Sequence, residues 1–171
     1  MLAPVVTSIA EGGSTVSVFA RNAEDFCRGK SDYRAYDTDW TDEDVFLSSV
    51  TEALAIPADL ALAWCHTKWD GIPLKVAQAM SAVSTSEFEL YLVLGSAFSN
   101  PEKSTLKKEL RTRFEQIKNC KLRVIYLGFQ IEKTGSRWLT NEEISAGVLA
   151  AMQRQLRETT IGVAQPWSAK P

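Results

Sequence analysis

A few side chains in this sequence are of types, and in places, where they could do chemistry. Arg21 and Asn22 directly follow a strand-like run, Thr15–Ala20. A guanidinium at a strand end suits a phosphate, because it can make a bidentate, charge-assisted contact. It could equally be a solvated surface arginine. Asp39-Trp40-Thr41-Asp42 places carboxylates on both sides of an aromatic ring. A helix start explains Thr41, which has Asp44 three residues on as in a weak capping box, but it does not explain Trp40. Ser96 closes the apolar run Phe88–Gly95, and Arg137-Trp138 precede the last helical stretch. His66 is the only histidine and follows Cys65 directly. A lone histidine at a strand end is more often a hydrogen-bonded structural residue than a catalyst or ligand. The three cysteines, Cys27, Cys65 and Cys120, form no CxxC and no Cys/His pairing at zinc spacing. No metal site is expected, and a reducing, cytoplasmic compartment follows.

The elements that must position these groups are legible as periodicity. Leu2, Val5, Val6, Ile9 and Ala10 recur at helical spacing until Gly12-Gly13 stop the helix. Strands are expected at 15–20, 33–37, 59–65, 88–95 and 122–129. The near-continuous apolar runs at 59–65 and 88–95 read as strands buried on both faces. Helices are expected over Val45–Leu54, ending before Pro57, over 71–81, over 103–119, and from the capping box Thr140-x-x-Glu143 onward. The stretch between Arg21 and Asp32 holds at most one helical turn, and the tail 158–171 reads as irregular. Strands alternate with helices and no tight hairpin turn is evident. The expected fold is one α/β domain over 1–171 with a doubly wound, mainly parallel sheet.

Composition narrows the function classes. With 19 Lys+Arg against 21 Asp+Glu, the net charge of −2 supplies no field to attract nucleic acid or an anionic membrane. Residues 103–123 carry eight Lys/Arg against two Glu, but their one aromatic, Phe114, falls on the core side. A solvated helix face is the simpler reading than a nucleic-acid site. No apolar run approaches a membrane span.

Taken in order, "TVSVFARN", "DTDWTDED", "LYLVLGSA" and "SRWLTNEEISAGVL" resemble the short-chain dehydrogenase/reductase superfamily, in particular its small, atypical bacterial members. The resemblance implies a Rossmann-like domain, NADP (or NAD) as cofactor and a small-molecule substrate. Arg21 then stands where a basic residue accommodates the 2′-phosphate of NADP, with Asn22 beside it. Asp39 caps the adenine edge and Trp40 packs on its ring. Cys65, His66 and Thr67 take the place of a stretch that lines the cofactor, His66 being a weak candidate for catalysis. Ser96 falls at the position of the catalytic serine, and Arg137 could recognise an anionic or planar ligand. Trp138 is expected to pack the last helix onto the sheet. No tyrosine is followed four residues later by lysine, so the proton-donor pair of orthodox carbonyl reduction is missing.

The resemblance also implies a first strand and a glycine-rich turn ahead of Met1. Without them the expected five-stranded sheet has a slot between 15–20 and 59–65, about 9–10 Å wide. Weak dinucleotide binding by these residues and self-association, as a homo-oligomer, are the expected consequences. The alternative reading is a non-catalytic nucleotide-sensing or protein-interaction module on the same fold.

Overall fold

A computed structural model of the chain describes residues 1–64, 71–100, 102 and 104–171. Helix α1 (Ala3–Glu11) has Pro4 in its first turn and ends at Gly12, with Gly13 in the left-handed region. Strand β1 (Val16–Ala20) is followed by the short α2 (Ala23–Cys27) and by β2 (Tyr33–Asp37), which pairs with β1 in parallel. Helix α3 (Glu43–Ala53) crosses to β3 (Leu60–Ala63), and α4 (Ile72–Val83) leads to β4 (Phe88–Leu94). Helix α5 (Ser104–Glu115) leads to β5 (Cys120–Leu127). Then come β6 (Phe129–Glu132), β7 (Gly135–Trp138), α6 (Asn141–Gln153) and β8 (Glu158–Ile161).

The main sheet has four strands in the order β3-β4-β5-β8, all parallel. Its side chains alternate between two apolar clusters, as the two-residue period of a strand requires. Leu90, Leu92 and Leu94 of β4, with Val124 and Tyr126 of β5, meet Leu74, Leu110 and Phe114 of α4 and α5. Tyr91 and Val93, with Ile125 and Leu127, meet Val5 of α1 and Ile144, Val148 and Ala151 of α6. A third cluster, under α3 and α4, gathers Phe46, Val50, Ile72, Met80 and Phe88. Phe19 of β1 and Ala61 of β3 both pack against it.

The expected alternation of strands and helices is present up to β5, and the 3.6-residue spacing located every long helix to within a few residues. Four expectations are corrected. The sheet is not one five-stranded unit: β1–β2 form a separate pair beside the four-stranded sheet. The strand expected at 122–129 ends at Leu127, and an antiparallel β6–β7 hairpin follows, pairing Phe129 with Trp138 and Glu132 with Gly135. Its apolar content is too low to show in periodicity, and the Lys133-Thr134-Gly135 turn is a weak signal alone. The tail is not irregular throughout, because Glu158–Ile161 adds β8 to the edge of the main sheet. Backbone pairing with β5 supplies what the sequence "ETTI" lacks in hydrophobicity. Lastly, β3 is not buried on both faces: Leu60 is 36% exposed and its neighbours are half-buried.

Two glycines close the far end of the sheet. A Cβ on Gly128 would lie 2.1 Å from the Val163 carbonyl oxygen, which the backbone pairing of Phe129 with Val163 brings close. A Cβ on Gly147 of α6 would sit 2.6 Å from the Ile161 side chain, so glycine lets α6 rest directly on β8.

Candidate functional site

The residues with the best chemical credentials gather at the carboxyl ends of β1 and β2. The register pairs Ala20 with Asp37, so the segments after both strands leave the sheet side by side. Arg21 and Asn22 follow β1, and Thr38, Asp39 and Trp40 follow β2. Asp37 accepts a 2.9 Å hydrogen bond from the Glu24 backbone N–H, fastening the start of α2 to the end of β2. Asn22 is the N-cap of α2, with its carbonyl accepting from the Phe26 N–H at 3.3 Å.

Asp39 accepts from the Thr41 N–H at 2.9 Å. Those Thr41 hydrogen bonds hold its carboxyl below the usual range, and the nearby Arg21 charge acts in the same direction. Arg21 is therefore within electrostatic reach of Asp39, yet it makes no ion pair among the described residues. Trp40 is half-buried against the α3–α4 cluster, which accounts for an aromatic in this loop by packing. The cap of α3 is Asp42, whose side chain accepts from the Val45 N–H at 3.3 Å, rather than Thr41. An ionised carboxylate is the stronger acceptor at a helix N-terminus, where the exposed amides and the dipole favour negative charge.

Ser96 opens a 3-10 turn, Ser96–Phe98, beyond β4, and its carbonyl accepts from the Ser99 N–H at 2.9 Å. Ser99, which sequence reasoning passed over, is the buried serine of this turn and ties it to β5 through the Leu127 carbonyl. Cys65, His66 and Thr67 lie outside the described residues.

Arg137 has a structural employment. It donates from Nε to Glu132 at 2.6 Å and from both terminal nitrogens to Glu143 at 2.8 and 2.9 Å. Glu143 also accepts from the Thr140 N–H at 2.8 Å, completing the expected capping box of α6. The Arg137 hydrogen bonds are the first cause that draws the Glu143 carboxyl down to about 2, and the same contacts hold the Arg137 guanidinium firmly charged. The group expected to meet a ligand instead clamps the hairpin to the helix. Trp138 packs edge-on against Phe129 at 6.5 Å and remains 45% exposed, so it closes the hairpin rather than the helix–sheet seam.

The ends of β1 and β2 and the start of α1 differ in the polar groups they offer. The carboxyl ends of β1 and β2 offer an exposed guanidinium, an amide and a buried Thr38 hydroxyl that has no partner among the described residues. The N-terminus of α1 offers no comparable cradle for a pyrophosphate. Leu2 occupies its N-cap without a side-chain cap, and Pro4 brings no N–H to its first turn. Among the described residues no cluster of His, Cys, Asp or Glu could hold a metal ion, and no helix is long and apolar enough to cross a membrane. No known protein family, curated protein or solved structure matches the chain.

Proposed function

We propose that this chain is a nucleotide-binding α/β domain of the short-chain dehydrogenase/reductase type, doubly wound in plan. It recognises the adenosine 2′-phosphate end of an NADP-class ligand at the carboxyl ends of β1 and β2. The observation that carries this reading is the position of Arg21, exposed, not ion-paired among the described residues, and within electrostatic reach of Asp39, the two following parallel strands in register. In open α/β sheets, ligands lie outside the carboxyl ends of the strands, where the order of strands reverses. Arg21, Asn22 and Asp39 stand just beyond the carboxyl ends of two such strands, β1 and β2.

Arg21 contributes the phosphate contact, Asn22 a further hydrogen-bonding amide, and Asp39 orients the guanidinium by charge. Ser96, at the end of β4, is the candidate to meet a substrate carbonyl. The sequence has no Tyr-x-x-x-Lys pair to supply a proton, which favours nucleotide sensing over carbonyl reduction as the activity. The test uses fragments that need only the adenosine end. Adenosine 2′,5′-bisphosphate should bind about tenfold or more tighter than adenosine 5′-monophosphate, with NMR shifts at Arg21, Asn22 and Asp39. Arg21→Glu should erase that preference. Equal affinities in both proteins, or shifts confined to other residues, would overturn the reading.

A further inference from the structure

We propose that the uncovered first half of β5 takes a short, extended, acidic peptide as an added strand, with a peptide carboxylate held by Arg111 and Arg157. The proposal stands on the main sheet alone and does not rest on the nucleotide reading.

Strand β8 pairs with β5 only from Val124 to Leu127. The reason lies at the end of α6. The Leu156 N–H returns to the Ala151 carbonyl at 3.1 Å, and Gln155 takes a left-handed φ of 50°. Residues 154–156 therefore finish the helix instead of lengthening the strand. In a parallel ladder the N–H and C=O of one residue point to the same side, and successive residues alternate sides. The Phe88 N–H donates to the Asn119 carbonyl, so residues 119, 121 and 123 serve β4 and residues 122, 124 and 126 face the other way. Val124 and Tyr126 meet β8 there, beginning with the Val124 N–H on the Arg157 carbonyl at 3.0 Å. The N–H and C=O of Leu122 meet no described strand.

A cavity of about 340 Å³ opens at this edge, and its lining includes Leu122, Phe114, Glu115, Arg111 and Arg157. Its floor is apolar, because the Leu122 side chain packs on the cluster that holds Phe114 and Val124. A small anion would use the guanidiniums and leave a backbone donor and acceptor idle. A peptide strand uses both sets, with main-chain bonds to Leu122 and a carboxylate on the arginines. Arg157 is 77% exposed and meets Glu115 through one terminal nitrogen at 2.9 Å. Arg111 meets Glu158 through one terminal nitrogen as well. A guanidinium carries five N–H donors, so a second carboxylate can join. Arg137 does this elsewhere in the chain, serving Glu132 and Glu143 together. The edge from Cys120 to Arg123 is about 13 Å long, which suits a peptide of about four residues. Side chains alternate across a sheet, so acids at every second position face α5 and valines suit the positions between.

The probe is acetyl-Glu-Val-Glu-Val-amide, titrated into the isotope-labelled 171-residue chain to about 5 mM. The Leu122 and Arg123 amides should shift. Exchange at the Leu122 amide, fast in the free protein, should slow about tenfold at saturation. Replacing both glutamates of the peptide by glutamine should weaken binding about tenfold. Methylating every backbone nitrogen of the peptide should abolish it. Arg157→Gln should bring the glutamate peptide down to the affinity of the glutamine peptide and leave the latter unchanged. If that variant does not fold, the parent is read at two salt concentrations, about 50 and 500 mM. The higher salt must then weaken the glutamate peptide and not the glutamine peptide. The proposal is overturned by a protected Leu122 amide in the free protein, by equal affinity for the two peptides, or by no binding at the highest concentration. Undiminished binding of the methylated peptide would reduce the site to an anion contact and overturn the added strand.

Discussion

The β4–β5 center and the β1–β2 pair are built from similar residues but differ in burial. In β4 and β5, Leu90, Tyr91, Leu92, Val93, Val124, Ile125 and Tyr126 are each at most 2% exposed, and both strands are bonded on both edges there. In β1 every residue is half-buried or exposed, although "VSVFA" is as strand-like as "LYLVL". The difference lies in neighbours rather than in composition. A strand with partners on both sides and helices on both faces is sealed, whereas β1 has one partner and one open edge. The sealed region supplies stability, and the open region holds the exposed Arg21 and Asn22 on which the proposed ligand contact rests. Regions of low local stability are where binding elements are commonly found.

The largest test of this contrast is a pair of truncations. Phe114→Ala, in the sealed cluster, should destabilise by about 3–5 kcal/mol, because it leaves a cavity that the packed helices cannot fill. Phe19→Ala should cost about 1–2 kcal/mol, since a half-buried ring loses only part of its transfer free energy. Urea unfolding measures both, and equal losses would erase the distinction. Next, Gly128→Ala should cost about 3 kcal/mol, because its Cβ meets the backbone carbonyl of Val163 and not a movable side chain. A change within about 0.5 kcal/mol would mean that the strand end relaxes freely.

A smaller effect is expected at the clamp. Glu143 titrates at about 2 in the folded protein against an ordinary 4.5. A lowered carboxyl stabilises the fold above its unfolded value and loses that contribution as pH falls from about 4.5 towards 2. Thermal unfolding should therefore show Glu143→Gln less stable than the parent at pH 7, with the gap narrowing through that window. A gap independent of pH would assign the effect to packing. The smallest expected change is Tyr126→Phe. The phenol is buried and pushed up to about 12, chiefly by desolvation; Glu158 and Arg111 lie near its hydroxyl and act on it in opposite directions, but it makes no well-formed hydrogen bond among the described residues. Its removal should shift stability by less than about 0.5 kcal/mol, in contrast to Phe114→Ala on the same face. A loss above about 1 kcal/mol would show that the hydroxyl is bonded in solution.

Much of this architecture was legible in sequence because it is local. The spacing of Leu106, Leu110 and Phe114 reports a helix face wherever the helix docks. Thr140 and Glu143 cap α6 as their three-residue separation requires. Arg21 after a strand and Asp39 after the next were visible as positions, and their proximity follows once β1 and β2 are parallel in register. The β6–β7 hairpin and β8 were not legible. Gln130, Glu132, Thr159 and Thr160 carry no apolar signal, and they are strands because a neighbouring backbone holds them there.

What the sequence by itself determined is the alternation of apolar runs and helical faces, and with it an α/β class, since those periods are properties of consecutive residues. Only the tertiary structure decided which strands join. It separated β1–β2 from the four-stranded sheet, left Leu60 partly in solvent, and gave Arg137 to Glu132 and Glu143. Hydrogen-bond pairing and ion-pair choice depend on distances between residues far apart in the chain. No local period encodes them.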